Sequence, residues 1–96
     1  MQDPKIGEIC SLDQIPVGAV FQACNTNDEP LDYYYVKHHQ DWVYRAQRVN
    51  NQKWKRAPGA GGLYIGDRCK YIAEPKNVEP DPPDMPRPLK ATIKVN

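Results

Sequence analysis

The alternation of apolar and polar residues predicts β-strands along most of the chain. Residues 17–24 are rich in β-branched and aromatic side chains, and residues 33–38 form a second run of this kind. Residues 42–49 alternate strictly, with Trp42 and Tyr44 on one face and Val43 on the other. Both faces of this third strand therefore carry apolar side chains.

Polar and glycine-containing stretches separate these strands. The polar cluster at residues 25–30 is a loop between two strands. Asn50 and Asn51 predict a two-residue hairpin turn, because asparagine tolerates the positive φ of such turns, and residues 52–56 return as the partner strand. After a glycine-rich loop at residues 58–62, residues 63–65 and 68–73 form short strands.

The two ends of the chain are less regular. Apolar residues from Ile6 to Ile15 recur at helical spacing, but Pro16 limits the prediction to a single helical turn. Residues 74–88 hold so many prolines that we expect an extended polyproline-II or disordered spacer, although the Pro83-x-x-Pro86 spacing also resembles a ligand of proline-recognition domains. Residues 89–96 alternate again, which predicts an edge strand that joins this sheet or a partner's sheet.

Many short strands without a convincing helix predict a mainly β fold, namely a small antiparallel barrel or a curved sheet, SH3-like or OB-like. A chain of 96 residues holds one core. We expect a β-rich domain at residues 1–74, a proline-rich connector at 75–88, and at 89–96 a C-terminal strand of the same domain.

Several classes of protein do not fit the sequence. No apolar run approaches the ~20 residues of a membrane span, the first residues lack a secretory signal, and three cysteines are too few for a disulfide-rich scaffold, so we expect a cytoplasmic protein. His38 and His39 are adjacent and point to opposite faces of a strand, so no metal site is predicted. No cofactor and no catalytic residue are predicted either.

Charge and aromatic residues are unevenly distributed. Residues 1–32 contain one lysine and six acids, whereas residues 33–56 contain six bases and one acid, Asp41. The second segment also holds six of the nine aromatic residues of the chain. Its candidate partner-binding residues are Tyr33, Tyr35, Lys37, Trp42, Tyr44, Arg45, Arg48, Lys53, Trp54, Lys55 and Arg56.

Three interpretations of this segment are open. Bases and flat rings together form the groove of a single-stranded nucleic-acid-binding β-barrel. Trp, Tyr and Arg also dominate protein-binding hot spots. Alternatively, the rings pack the core while the bases face solvent. A sequence pI near 7.7 lacks the basic footprint of a dedicated nucleic-acid domain, which favours a protein partner.

Residues 11–21, Ser-Leu-Asp-Gln-Ile-Pro-Val-Gly-Ala-Val-Phe, followed by Tyr35-Val36-Lys37, resemble the opening of small bacteriophage-encoded β proteins. The resemblance implies a mobile-element accessory protein in the bacterial cytoplasm, of a class that inhibits or redirects a host complex such as a nuclease. Our interpretation is a non-enzymatic protein-binding module with a host protein or complex as partner. The oligomeric state stays open.

Overall fold

The structure is a computed structural model that describes residues 4–58, 63–81 and 87–94. Within these residues the chain is mainly β, with no α-helix, as the sequence predicts. The strands are β1 (Ile9–Ser11), β2 (Val20–Cys24), β3 (Pro30–His39), β4 (Trp42–Arg48), β5 (Trp54–Ala57), β6 (Leu63–Gly66), β7 (Arg68–Ala73) and β8 (Leu89–Lys94), and 3-10 turns occur at Leu12–Gln14 and Pro75–Asn77. The glycine-rich residues 59–62 and the motif at 83–86 lie outside the described residues.

The strands form one curved sheet in the order β1-β7-β2-β3-β4-β8-β6, with β5 also paired to β4. Its hydrogen bonds do not close a barrel, because β1 and β6 stand at the two ends of this order. However, only Asp67 separates β6, the neighbour of β8, from β7, the neighbour of β2. The chain itself therefore connects the β8 side of the sheet to the β2 side. Gly66 at the end of β6 lies against Asn25, the residue that follows β2. A Cβ atom on Gly66 would overlap the backbone carbonyl of Asn25. The predicted small curved β-sheet is confirmed.

Strand β4 is the branch point of the sheet. It pairs with β3 along one edge, while its other edge is shared by β8 at Trp42 and Val43 and by β5 from Arg45 to Arg48. Two buried clusters lie on opposite faces. One is built around Phe21, Tyr35, Val43, Cys69 and Tyr71, and the other around Val20, Val36, Tyr44, Trp54 and Ala73.

The β4–β5 hairpin is present, but its predicted two-residue turn at Asn50 and Asn51 is wrong. Residues 49–53 separate the strands, and neither asparagine has a positive φ. The Asn50 side-chain oxygen instead accepts the backbone N–H groups of Gln52 and Lys53, at 2.8 and 2.9 Å. A side chain thus supplies the acceptor that a tight turn would take from the backbone.

The segment after β7 is not a free spacer over the part that is described. Pro75–Asn77 forms a 3-10 turn, Val78 makes a parallel bridge with Trp54, and the Glu79 N–H donates to the Trp54 carbonyl at 2.8 Å. We call residues 74–81 the strap, because they lie along the outer edge of β5.

Strand β8 is an interior strand and not the predicted edge strand. It is antiparallel to β4 and parallel to β6, and Ala91 is buried. The parallel pair departs from the all-antiparallel prediction and is possible because a long connection precedes β8. No described part of the chain forms a helix long and apolar enough to span a bilayer.

Candidate functional site

Four of the eleven candidate residues lie in the interior. Tyr35, Tyr44, Trp54 and Lys37 are each no more than 7% exposed. The Trp54 ring packs against the half-buried Tyr34 at 5.2 Å between centroids. Buried rings of this kind cannot stack on the bases of a nucleic acid without unfolding the sheet, so for these aromatic residues the core-packing interpretation describes what the structure shows.

Lys37 is an internal hydrogen-bond donor. Its Nζ donates to the carbonyl oxygens of Leu12 and Ile15, at 2.9 Å each. These carbonyls belong to the first 3-10 turn and the residue that ends it. The ammonium group therefore holds this turn against β3 and is not available to a partner.

Two arginines of the candidate set contact the second core cluster and the strap. The Arg56 guanidinium pairs with Asp81 at 2.8 Å and donates to the Glu79 carbonyl at 3.2 Å. The Arg48 guanidinium lies 4.9 Å from the centre of the Trp54 ring. Arg56 is largely occupied by these contacts, whereas Arg48 stays exposed on its outer side.

The remaining candidates are exposed but separate into two places. Trp42, 39% exposed, begins β4, while Arg45, Lys53 and Lys55 lie toward the hairpin turn at the other end of that strand. Tyr33, 54% exposed, lies near the start of β3, which is antiparallel to β4 and so brings it to the hairpin-turn end. Seven residues of β4 separate the two ends by about 20 Å. The segment 33–56 thus presents two surfaces and not one.

The first surface is an open groove of about 480 Å³ lined by His38, His39, Trp42 and Pro88, which we call the aromatic cleft. The β3–β4 turn shapes it: Gln40 adopts a positive φ of 52°, and His39 pairs with Trp42 in the ladder. The His38 ring packs edge-on against Tyr44 at 5.1 Å.

The sequence pointed to only one residue of the aromatic cleft. The sequence predicts no metal site at His38 and His39 and places Pro88 in the proline-rich connector. Their shared location follows from the pairing of Trp42 with Lys90, which brings the residue before β8 beside the β3–β4 turn. The ring side chains of His38, His39 and Trp42 on either side of a short turn are the signal that the sequence offers for this cleft.

The second surface is the outward part of the β4–β5 hairpin, which we call the basic hairpin. Residues 42–66 contain no Asp or Glu at all. Its exposed cations are Arg45, Arg48, Lys53 and Lys55. Gln47 lies opposite Lys55 and Arg45 opposite Ala57, and a second groove of about 320 Å³ follows this face toward Pro58.

The acidic first third does not neutralise the basic hairpin. The ion pairs among the described residues join Arg56 to Asp81, Arg68 to Asp28 and Lys76 to Glu74. None of them links an acid of residues 1–32 to a base of residues 33–56. The two oppositely charged regions therefore do not pair with each other among the described residues.

The three cysteines are buried free thiols. Cys10 lies directly opposite Cys69 in the β1–β7 ladder. Burial raises the pKa of Cys69 far above its ordinary value, and it also raises the pKa of Cys10 and of Cys24. The thiols stay protonated near neutral pH and are poor nucleophiles, because the thiolate is the reactive form.

We expect the folded protein to resist thiol modification. At pH 8 an aromatic disulfide reagent should react with none of Cys10, Cys24 and Cys69 within minutes, because each is buried and has a raised pKa. In concentrated urea all three should react at once. The absorbance of the released thiolate measures both, and rapid reaction of one thiol in the native protein would contradict the expectation and reopen nucleophilic catalysis.

No group of three His, Cys, Asp or Glu side chains that could hold a metal ion occurs in the part of the chain that the structure describes. Comparison with known proteins adds no family: no family model, curated protein or solved structure matches this chain. Function has to be argued from the two surfaces themselves.

Proposed function

We propose that this protein is a non-enzymatic protein-binding module whose aromatic cleft takes an apolar side chain of a partner protein. The observation that carries the proposal is Trp42, which stands 39% exposed in a groove lined otherwise by His38, His39 and Pro88. The sequence resemblance extends the proposal to a partner class, a host complex such as a nuclease in the bacterial cytoplasm, with a phage or mobile element as the source of the module.

The shape of the aromatic cleft supports a protein partner. A groove of about 480 Å³ is in the range of ligand sites and has room for one or two large apolar side chains. Tryptophan is the residue type most enriched in binding hot spots, since it buries a large area with few rotatable bonds. The described lining carries no Lys, Arg, Asp or Glu, so burying it leaves no unpaired formal charge of this kind.

Catalysis has less support. The buried thiols are protonated, and the described residues offer no metal-ligand group. The single-stranded nucleic-acid alternative also loses support, because its platform needs several exposed rings. Among the side chains that the structure describes, Tyr33 and Trp42 are the exposed tyrosine and tryptophan, and they lie at opposite ends of the β3–β4 pair.

We expect Trp42→Ala to weaken partner binding by 30-fold or more, since truncating a hot-spot residue costs about 2 kcal/mol or more. The measurement compares the proteins retained from bacterial lysate by immobilised wild type and variant, followed by titration of the purified partner. Tyr33→Ala is the matched control, because Tyr33 is more exposed but lies outside the aromatic cleft.

The proposal requires a purified partner protein that binds the wild type and Tyr33→Ala alike and loses affinity for Trp42→Ala. Both variants should lose less than about 1 kcal/mol of stability in urea, which separates binding from folding. Equal binding by all three proteins would show that the aromatic cleft is not the contact surface and would overturn the proposal.

A further inference from the structure

We propose that the basic hairpin is a second binding surface, one that binds a B-form DNA duplex. It is independent of the aromatic cleft and lies at the other end of β4. The inference starts from charge: Arg45, Arg48, Lys53 and Lys55 are exposed on one hairpin, although the whole chain carries a net charge of only +1. An anionic partner is therefore attracted to this hairpin and not to the molecule as a whole.

No carboxylate forms an ion pair with these four cations among the described residues. In the strap that runs beside β5, Glu74 is paired with Lys76 at 3.1 Å and Asp81 with Arg56 at 2.8 Å. These pairs leave the four cations of the basic hairpin without a carboxylate partner among the described residues. Lys53 makes only a long contact, 3.5 Å, to the Lys76 carbonyl.

The side chains between the cations are amides. Gln47, Asn51 and Gln52 are exposed on the same hairpin, while Asn50 is engaged in shaping the turn. Cations contact phosphates, and amides both donate to and accept from the base edges in a groove. An acidic protein surface would use the cations but would leave these amides without a specific role.

The geometry favours a duplex over a single strand. The strap flanks the outer edge of β5, so the hairpin meets a duplex through its turn and its exposed side chains, which reach phosphates and base edges along the major groove. The A-form major groove is too narrow for side chains to read. Trp54 of β5 is buried at 6% exposure, and the exposed Trp42 lies at the far end of β4, so the basic hairpin does not present the stacking ring that single-strand binding requires.

The test is fluorescence anisotropy with a labelled DNA duplex of about 20 base pairs, the same single strand, and poly-glutamate as competitor. Four phosphate contacts predict a slope of log K against log salt near −3.6, and hence a roughly 100-fold loss of affinity between about 50 and 200 mM salt. The double variant Lys53→Gln/Lys55→Gln should bind roughly tenfold more weakly or worse and reduce the slope to about −1.8.

Two further variants sharpen the test. Lys90→Gln is the matched control, because Lys90 is exposed but pairs with Trp42 at the other end of β4. Lys90→Gln should bind the duplex with an affinity within about twofold of that of the wild type and with the same salt slope. Asp32→Asn should increase the affinity severalfold, since Asp32 is the exposed acid of β3 and takes part in none of the described ion pairs.

The outcomes are decisive in each arm. Duplex binding that the double variant weakens and Lys90→Gln does not would support the inference. Three results would each overturn it: the duplex does not bind at about 50 mM salt, the double variant and Lys90→Gln lose equal affinity for the duplex, or the single strand binds more tightly than the duplex. Displacement of the duplex by poly-glutamate at equal charge would assign the basic hairpin to an acidic protein instead.

Discussion

Trp54→Ala is expected to lower the free energy of unfolding by about 4 kcal/mol, the largest effect of any substitution in the candidate segment. The indole is only 6% exposed, and its removal leaves a cavity in the second core cluster. The variant also loses the ring contact with Tyr34 at 5.2 Å and the cation-π contact with Arg48 at 4.9 Å. Val78 of the strap packs against the same cluster.

Urea denaturation followed by circular dichroism measures this effect. Trp42→Ala is the matched control: its ring is 39% exposed, and we expect a loss below about 1 kcal/mol. Trp54→Phe keeps a ring in the cavity and should lose roughly half as much stability as Trp54→Ala. If Trp54→Ala unfolded at the wild-type urea concentration and lost only partner binding, the indole would belong to an interface and the described packing would be wrong.

The two tryptophans show what the sequence could and could not predict. Alternation over residues 42–49 predicts a strand for Trp42 and the hairpin predicts one for Trp54, and both strands are present. Their burial depended on their neighbours: Trp54 is covered by the strap, twenty or more residues later in the chain, while Trp42 is left partly open beside Pro88. Such coverage is set by long-range packing, which a local pattern does not contain.

The same limit explains the errors at the chain's C-terminal end. Proline content predicts an extended or disordered spacer, but it does not show that Val78 and Glu79 bond to β5. Residues 89–96 read as an edge strand because alternation describes one strand and not its neighbours. Strand β8 pairs with β4 on one side and with β6 on the other. This interior position depends on the branch at β4, where β5 and β8 share one edge.

Charge patterning predicted the basic hairpin in part. Four of the six bases in residues 33–56 are exposed on the hairpin, as a solvated basic surface requires. The other two serve the fold, since Arg56 binds the strap and Lys37 binds the first 3-10 turn. A lysine in a strand next to tyrosine and valine has the same sequence signature whether it faces solvent or carbonyl groups.

Lys37→Ala is expected to lower the free energy of unfolding by about 3 kcal/mol, because it removes two charge-assisted hydrogen bonds and the buried stem of the side chain. The Ile15 carbonyl is left without its lysine donor, whereas the Leu12 carbonyl keeps the Ile15 N–H at 3.1 Å. The first 3-10 turn should therefore loosen from β3 before the rest of the sheet unfolds.

Lys37→Met separates the stem from the ammonium group. Methionine fills most of the same space, so Lys37→Met should lower the free energy of unfolding by only about 1–2 kcal/mol. This loss measures the cost of the unsatisfied carbonyl alone. Lys55→Met is the matched control, since Lys55 is exposed and should change stability by less than about 0.5 kcal/mol. Urea denaturation gives the stabilities, and hydrogen exchange at Ile15 reports the turn. Equal stabilities for the Lys37 and Lys55 variants would show that Lys37 faces solvent, which would return it to the set of residues a partner could contact.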